Sequence, residues 1–599
     1  MASQAAIQSL TERWCDRLCK EECLRTNTPH HRRFDCGAQH VDAKLLRADS
    51  VKSLIAGVAK TALAAQIGGT VSQTRMRREG PKVAFDNSTT RRRFLGGAAA
   101  AAASAWMRAG TGSAVKEPKQ SSTSDLTALS AAEAVRLLSR GELSAVEYAQ
   151  ALLARCEAGR SLNAFITLRP EQVLAAAREC DRRQHAGGPL GPLHGLPIPI
   201  KDSVNTGDLP TTAGTPALRH FQPREDAPLV HALRKAGAIV LGKTNLHELS
   251  YGYTSNNHAY GAIHNPYDPS RIPGGSSGGT AAAIAYRMAP LGVAEDTEGS
   301  IRVPAALCGL AGFRPTTGRY PTHGCVPISP LFDQVGPHAR SVSDLLLFDR
   351  AVTGSTEPAR SVSLNGVRLG VIRSFWFSGL DSDTEHVTTK ALDALHRAGV
   401  ELVEGELPQL PHFIELITDQ VQNHDVKPSL TRYLSEYHAG VTFEELLAQA
   451  SPDVQRMIGP ATTPGTRDFV PDAQYEEIVK VYLPNLRAMY KDYFARTGVA
   501  AIVFPTTILP APKIGEEDME VEVRGRRMSL DEAMARNIAP GSTTGLPGLV
   551  LPAGLTPSGL PVALEFDGPA GSDIALLALG LALEPALGKL PPPPAVASG

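Results

Sequence analysis

Short apolar runs alternate with amphipathic helical segments along this chain, and that alternation is the feature that most limits its fold. The runs at 196–200 and 238–242 have the length and composition of buried strands, and residues 229–236 between them have helical spacing. A further strand-like run at 369–372 is followed by a helical segment at 384–397. Strands separated by helices of this length indicate a layered sheet, so we predict an α/β protein.

Net charge, hydropathy and cysteine spacing argue against a nucleic-acid-binding, a membrane-bound and a disulfide-rich protein. The 599 residues carry a formal net charge of −1, which gives no reason to expect nucleic acid or an anionic membrane surface as partner. No run of about 18 strongly apolar residues occurs, so we predict no transmembrane helix. The eight cysteines have irregular spacing and do not form the pattern of a disulfide framework.

Three stretches carry side chains suited to nucleophilic catalysis. Residues 195–202 (GLPIPIKD) place Lys201 at the end of an apolar run. Residues 274–279 (GGSSGG) contain Ser276 and Ser277, and residues 295–302 (EDTEGSIR) contain Ser300. Taken singly, each stretch has an ordinary explanation: a solvated lysine, a flexible loop, and a polar turn before a helix.

The glycine run also fits two other motifs in part. Residues 274–278 match G-x-S-x-G, the nucleophile elbow of α/β-hydrolases, which requires a strand immediately before it. The preceding residues 265–273 contain three prolines and cannot form a central strand. A phosphate-binding P-loop is excluded because the run lacks the Gly-Lys-Ser/Thr ending.

Taken together, the three stretches resemble the amidase signature family. The resemblance covers about residues 125–585 and includes further motifs in the family's order, at 211–216 (TTAGTP), 242–248 (GKTNLHE), 265–266 (NP), 312–318 (GFRPTTG), 333–337 (DQVGP) and 340–341 (RS). It implies an α/β/α sandwich around a large mixed β-sheet, formed by a catalytic domain at 123–588. It also implies an amidase, a hydrolase of linear amides, that needs no metal or organic cofactor.

Carried over residue by residue, the resemblance implies a role for each position of the site. Ser300 would be the nucleophile, Ser276 a bridging serine in a cis peptide, and Lys201 the base. Supporting hydrogen bonds would come from Ser277, Asp296 and Arg302. The oxyanion hole would consist of the backbone N–H groups of Thr297, Glu298, Gly299 and Ser300.

This set of side chains is chemically suited to acyl transfer. A serine hydroxyl is a poor nucleophile unless a base removes its proton as it attacks. Lysine can act as that base only when neutral, and burial beside an apolar run disfavours its charged form. Ser276 would relay the proton from Ser300 to Lys201, since one hydroxyl can donate and accept at once.

Two acidic residues depart from the family pattern. The family commonly has Gly-Thr-Asp-x-Gly-Gly-Ser, and this chain has Glu295 in place of the threonine and Glu298 in place of the first glycine of the pair. Backbone donors survive a side-chain change, so we expect the oxyanion hole to remain. A carboxylate at Glu298 would oppose negative charge there unless it points away or is paired.

Three sequence stretches indicate a substrate class within the family. Residues 295–318, 540–547 and 551–554 most resemble mandelamide and indoleacetamide hydrolases, which implies a small arylacetamide-type primary amide, cleaved to acid and ammonia. Residues 410–530 are expected to face this small-molecule partner, with no nucleic acid or membrane involved, and the chain could form a homodimer. Four tyrosines could line the pocket, although half-buried positions on helices would explain them equally: Tyr433, Tyr437, Tyr475 and Tyr482.

Three alternative functions stay open at this point. The first is an amidotransferase A-type subunit for misacylated tRNA, which works inside the cell within a complex. The second is a non-catalytic binding relative, disfavoured because Lys201, Ser276 and Ser300 are all present. The third is a Ser-His-Asp hydrolase, which requires an essential histidine, and the sequence singles out none of the 17.

The N-terminal part has a different character. Residues 90–114 resemble a twin-arginine leader, because Arg91 and Arg92 precede a short, alanine-rich run and then small residues. Its position is explained if translation begins at Met76, so that 76–115 form a leader or linker and 1–75 an uncertain extension. Export would place the protein in the periplasm, and a cytoplasmic location follows if the leader is not used.

Both ends of the chain contain one further pattern. The early cysteines are Cys15, Cys19 and Cys23, with Cys36 following. The first three recur every fourth residue and could share one helix face, but the set lacks the paired spacing of a structural zinc site. Residues 589–599 form a Pro-rich tail that we expect to be extended and disordered.

Overall fold

The computed structural model describes residues 125–515 and 520–594, which include nearly all of the catalytic domain expected at 123–588. The leader with Arg91 and Arg92, and the early cysteines, lie outside these residues. Within the described ranges, no helix combines the length and the apolar character needed to cross a membrane.

The strands, in chain order, are β1 Phe165–Leu168, β2 Pro197–Lys201, β3 Ile239–Thr244, β4 Asn256–Asn257, β5 Gly261–Ala262, β6 Leu291–Asp296, β7 Ala311–Arg314, β8 Gln334–Ala339, β9 Arg368–Val371, β10 Glu401–Glu404, β11 Ala501–Pro505, β12 Glu520–Val523, β13 Arg526–Ser529, β14 Gly548–Leu555 and β15 Pro561–Asp567.

The α-helices are α1 Ala131–Ser139, α2 Ala145–Ala158, α3 Pro170–His185, α4 Pro228–Lys235, α5 Gly278–Ala285, α6 Arg302–Leu307, α7 Val342–Thr353, α8 Arg373–Trp376, α9 Ser382–Arg397, α10 Leu410–Glu436, α11 Phe443–Gln449, α12 Pro452–Ala461, α13 Asp472–Glu477, α14 Leu483–Thr497, α15 Leu530–Ala535, α16 Ala539–Thr544 and α17 Asp573–Leu587. Short 3-10 turns lie at Leu126–Ala128, Arg160–Leu162, Pro216–Leu218 and Glu248–Ser250, and a π-helical turn at Ile478–Tyr482.

Eleven of the described strands form one mixed sheet, in the order β1-β3-β2-β6-β8-β7-β14-β15-β11-β9-β10. β2 runs parallel to β3 and β6, whereas β8 and β15 run antiparallel to their neighbours. Along β11, Ala501 and Val503 pack into one buried cluster, and Ile502 and Phe504 pack into another. Because alternate residues of a strand point to opposite faces, both faces of the sheet are covered, and the predicted fold is confirmed.

The predicted elements form close to their expected positions. The run at 196–200 becomes β2, shifted by one residue so that Lys201 is its last member, and residues 229–236 become α4. α1 begins with a capping box, in which Ser130 Oγ accepts from the amide of Glu133 at 3.2 Å and the Glu133 carboxylate accepts from the Ser130 amide at 2.9 Å. Gly141, with φ +67°, lies between α1 and α2.

The topology brings the chemically interesting stretches to one edge of the sheet. β2 and β6 are adjacent and parallel, with Ile200 opposite Val293. Their carboxyl ends, Lys201 and Asp296, therefore meet at the same edge, where ligand sites of open α/β sheets commonly lie. α5 and α6 begin just after Ser276 and Ser300.

Two expectations need correction. Helices α10 to α14 lie in the region 410–530, but β11 within it is a strand of the central sheet and therefore belongs to the core. The tail is attached to the body as far as it is described: the Tyr267 hydroxyl donates to the carbonyl of Pro591 at 3.0 Å, and Pro593 is buried. The expected disorder therefore does not hold for residues 589–594.

Candidate active site

Lys201 and Ser276 are in direct contact in a buried setting. Nζ of Lys201 donates to Oγ of Ser276 at 2.7 Å, and both side chains have no solvent exposure. The peptide bond between Gly275 and Ser276 is cis, as the family resemblance implies. The carbonyl of Ser276 accepts a hydrogen bond from the amide of His247 at 3.0 Å, which fixes the loop from its other side.

The loop that carries Ser276 packs tightly between two other segments. A Cβ at Gly275 would lie 2.7 Å from the carbonyl carbon of Tyr253, so no larger residue fits there without movement of the backbone. A Cβ at Gly274 would lie 2.8 Å from Cα of Pro304, on the helix that follows Ser300. The Ser276 loop therefore lies against the segment that begins with Ser300.

Ser300 lies in a tight turn between β6 and α6, and Asp296 organises this turn. Its carboxylate accepts from the amide of Gly299 at 2.6 Å and from the amide of Ile301 at 3.0 Å. Burial by itself would raise the pKa of Asp296, but the charges of Arg302 and Arg314 outweigh it and hold this pKa well below its usual range. Asp296 is thus a permanent anion that holds the turn closed.

Arg302 connects this turn to the far half of the sheet. Its guanidinium donates to Asp296 twice, at 3.1 and 3.2 Å, and to the carboxylate of Glu565 on β15 at 2.7 Å. It also donates to Ser542 on α16 and to the carbonyl of Ile538. The family resemblance implies a supporting role for Arg302. Ser542 lies in the stretch 540–547 that resembles mandelamide and indoleacetamide hydrolases, whereas no motif marks Glu565.

The backbone amides expected to form the oxyanion hole are not equally available. The amide of Gly299 already donates to Asp296. Among the described residues, the amides of Thr297, Glu298 and Ser300 make no hydrogen bond. Of the four amides expected to form the oxyanion hole, that of Gly299 is therefore occupied by Asp296, and the other three have no hydrogen-bond partner among the described residues.

Glu298 is held at this turn by contacts from two directions. Its carboxyl group accepts a hydrogen bond from Nε2 of Gln422 on α10 at 2.5 Å, and the Tyr253 hydroxyl donates to its backbone carbonyl at 3.1 Å. Burial, reinforced by the negative charge of Asp419, raises the pKa of Glu298 to about 8, although the Gln422 hydrogen bond acts in the opposite direction. Burial and the charge of Asp419 thus favour the neutral form of Glu298, which does not oppose negative charge at this turn.

Glu295 contacts Lys201 directly, which the sequence did not predict. Oε2 of Glu295 accepts from Nζ of Lys201 at 2.8 Å, and the side chains are 2% and 0% exposed. Ser277 supports the backbone of the same residue, because its hydroxyl donates to the Glu295 carbonyl at 3.0 Å. The Thr297 hydroxyl lies 3.1 Å from Oε1 of Glu295 and 2.6 Å from Oδ1 of Asp333.

The candidate pocket tyrosines have other contacts. Tyr433 is buried and its hydroxyl donates to Oδ1 of Asn205 at 2.6 Å, whereas Tyr475 stacks on His424 with ring centroids 3.7 Å apart. Tyr437 packs against Tyr433, with centroids 4.8 Å apart, and the Tyr482 hydroxyl donates to Glu477 at 3.0 Å. These contacts account for the tyrosines without a role at the site.

The described residues show neither the serine–histidine contact of a Ser-His-Asp hydrolase nor a group of metal ligands. His338 contacts the turn, because its Nε2 donates to the carbonyl of Ile301 at 2.7 Å, and burial lowers its pKa to about 4. No histidine ring in the described part of the chain hydrogen-bonds to the hydroxyl of Ser300. Over residues 125–515 and 520–594, no group of three or more His, Cys, Asp or Glu side chains has an arrangement suited to a metal ion.

Known proteins resemble this chain over its described part. The Amidase family matches residues 147–577. The chain is 39% identical to an indoleacetamide hydrolase of Agrobacterium vitis, over 76% of this chain and 97% of that protein. It is 36% identical to a mandelamide hydrolase of Pseudomonas putida, over 78% and 92%, and 35% identical to the A-type subunit of a glutamyl-tRNA(Gln) amidotransferase of Salinispora arenicola, over 78% and 99%. The crystal structure of an amidase superposes with a TM-score of 0.69 at 32% identity, over 77% of this chain and 100% of that one.

Proposed function

This chain belongs to the amidase family and hydrolyses amide bonds, and from that premise we propose that it cleaves a small arylacetamide-type primary amide to the acid and ammonia. Ser300 is the nucleophile, Ser276 relays its proton, and Lys201 is the base. The observation that carries the mechanism is the buried 2.7 Å contact between Nζ of Lys201 and Oγ of Ser276.

The reaction runs in two stages. Ser300 attacks the amide carbonyl while its proton passes to Ser276 and the proton of Ser276 passes to Lys201, so that no free hydroxide is needed. The oxygen of the tetrahedral intermediate binds to the amides of Thr297, Glu298 and Ser300, where the loss of one donor typically costs about 2.7–4 kcal/mol. The proton returns to the leaving ammonia, and water then hydrolyses the acyl-enzyme by the same relay.

Similarity to relatives of known name supports the choice of substrate. The indoleacetamide hydrolase is matched over 97% of its length and the mandelamide hydrolase over 92%, so the likeness includes their substrate-facing parts. In this chain the substrate-facing part includes α10, since Gln422 on that helix reaches the carboxyl group of Glu298.

The test is ammonia release by the full-length protein from a panel of indole-3-acetamide, mandelamide, phenylacetamide and a fatty amide. We expect turnover of the aryl amides, and its loss in Ser300→Ala and Lys201→Ala. Ser203→Ala is the matched control, because the Ser203 hydroxyl is equally buried and makes no hydrogen bond within the described residues.

Other outcomes would decide against the proposal. Turnover that survives Lys201→Ala at neutral pH would remove lysine as the base. Preference for the fatty amide would overturn the substrate class. The absence of ammonia release from every amide by the isolated protein would favour a role like that of the amidotransferase relative, which works in a complex.

A further inference from the structure

Lys201 is fully occupied as a hydrogen-bond donor. Its Nζ has three neighbours: Oγ of Ser276 at 2.7 Å, Oε2 of Glu295 at 2.8 Å and the backbone carbonyl of Glu295 at 3.5 Å. An ammonium group has three N–H donors and no lone pair, whereas a neutral amine has one lone pair to accept a proton. With a carboxylate at Glu295, Lys201 must therefore release a proton before or while it takes one from Ser276.

The geometry points to Glu295 as the terminal proton acceptor of the relay, an inference that rests on the proposed function. As the O–H bond of Ser300 breaks, its proton goes to the oxygen of Ser276. The proton of Ser276 goes to Nζ of Lys201, and one proton of Lys201 goes to Oε2 of Glu295. The net change is that Ser300 loses a proton and Glu295 gains it, while Lys201 and Ser276 end with the number of protons they began with.

Glu295 pairs with Lys201 at 2.8 Å, and a second carboxyl group, that of Asp333, lies close to it. The Thr297 hydroxyl has one proton and lies between two carboxyl groups, those of Glu295 and Asp333, so one of them must itself carry a proton. Burial, reinforced by the negative charge of Glu295, raises the pKa of Asp333 to about 8. The hydrogen bonds that Asp333 accepts from the Thr297 hydroxyl and from the amides of Ile328 and Ser329 act in the opposite direction.

The relay does not change the net charge of the buried site around Lys201 and Glu295. In the resting state, the Lys201 ammonium and the Glu295 carboxylate compensate each other. During attack, one negative charge moves from Glu295 to the oxygen of the intermediate, and Lys201 remains charged beside Ser276. Isolated buried charges are costly, and this transfer only moves one negative charge from Glu295 to the intermediate, so the net charge of the site stays the same.

Among the other titratable groups near Glu295, Asp333 and Glu298 have pKa values raised to about 8. Cys325 is a neutral thiol, since burial raises its pKa well above the usual value, and His338 is neutral because burial lowers its pKa to about 4. Lys243 and Asp202 pair with each other at 2.9 Å, although burial raises the pKa of Asp202 and lowers the pKa of Lys243. Asp333 and Glu298 are therefore the neighbours that a pH experiment must control for.

The experiment measures the rate at which a fluorophosphonate probe labels Ser300 as a function of pH, together with amide turnover. In the wild-type protein, the labelling rate should rise on the acidic side of neutral pH and be level at pH 7. In Glu295→Gln, the relay ends at Lys201, which must first lose its proton to solvent. The rise should then move up by at least one pH unit, and the rate at pH 7 should fall at least tenfold.

Two further variants keep the assignment testable. Asp333→Asn should leave the acidic rise where it is, because Glu295 and Lys201 are unchanged. Glu295→Asp keeps a carboxylate at a longer distance from Nζ, so it should keep the acidic rise and lower the rate, and it replaces Glu295→Gln if that variant fails to fold.

Several results would overturn the inference. A rise that moves to lower pH in Glu295→Gln, or a faster rate at pH 7, would mean that the carboxylate only holds Lys201 in its charged form. A uniformly lower rate with an unshifted pH curve would mean a structural role. Failure of the probe to label Ser300 at any pH would instead remove the proposed nucleophile, which separates failure of the proposed function from failure of this inference.

Discussion

The carboxylate of Asp296 receives two hydrogen bonds from the guanidinium of Arg302, six residues further along the chain, at 3.1 and 3.2 Å. The same carboxylate accepts the amides of Gly299 and Ile301, so one side chain both pairs the arginine and closes the turn around Ser300. Both side chains have no solvent exposure, and removal of one partner leaves the other charge uncompensated.

We therefore expect Asp296→Asn to lower the free energy of unfolding by about 3 kcal/mol or more. Urea denaturation measures this change, and fluorophosphonate labelling should slow by at least tenfold as the turn loosens. Glu157→Gln is the control, because it breaks the exposed pair of Glu157 with Arg160 at 2.9 Å, which should leave stability unchanged within error. Equal stability of the two variants would contradict the anchoring role of Asp296.

Ser276 is the residue through which Lys201 would act on Ser300. Ser276→Ala removes the hydroxyl that relays the proton, so we expect kcat/KM for the amide to fall by about 10²–10⁴-fold at neutral pH. Ser277→Ala is the neighbouring control: its hydroxyl binds the backbone of Glu295 and not Lys201, so a smaller loss of activity is expected. A larger loss in Ser277→Ala than in Ser276→Ala would exclude Ser276 as the relay.

The sheet and the main site residues could be predicted because they leave local patterns in the sequence. Apolar periodicity is local, so the run at 196–200 identified a buried strand, and the end of that strand placed Lys201 at a sheet edge. The motifs around Ser276 and Ser300 carried the family resemblance, and the fold brings both stretches to the same edge.

The remaining contacts join residues that are far apart in the sequence, so no local pattern predicts them. Lys201 and Glu295 are 94 positions apart, and Glu298 and Gln422 are 124 positions apart. Both glutamates stand out in the sequence as departures from the family pattern, but their partners come from β2 and α10, whose placement only the folded chain fixes. The direction of the Gly299 amide likewise depends on the turn and not on the residue type.

Gly299 is the position where a side chain is least tolerated in the nucleophile turn. Its φ is +108°, and an added Cβ would lie 2.4 Å from Cδ1 of Ile538. We expect Gly299→Ala to cost about 1–3 kcal/mol in stability and to lower kcat at least tenfold, because the amide of Ser300 would move.

Gly354→Ala is the matched control for that substitution. Gly354 ends α7 with φ +70° and has open space where a Cβ would be added, so the variant should lose some stability and keep its activity. Thermal denaturation and ammonia release measure the two effects. A Gly299→Ala variant with full activity would show that the position of the turn does not limit the reaction.

Glu298 gives the site a titratable group beside the proposed oxyanion hole. Its pKa is raised to about 8 by burial first and by Asp419 second. Below this pH the side chain is neutral, and above it the side chain is a carboxylate next to the amides that bind the developing negative charge. Ionisation of Glu298 should therefore weaken stabilisation of the intermediate, so activity should decrease on the alkaline side.

For the wild-type protein we expect kcat/KM to fall above about pH 8, by up to tenfold per pH unit. Glu298→Gln keeps a neutral side chain of the same size and should abolish this fall while its activity at pH 7 changes little. Gln422→Leu removes the hydrogen bond that favours the ionised form of Glu298, so the fall should move to higher pH. Asp333→Asn separates the two acids, since the pKa of Asp333 is also raised to about 8 by burial and the charge of Glu295. If the alkaline fall persists in Glu298→Gln and disappears in Asp333→Asn, Asp333 and not Glu298 controls it.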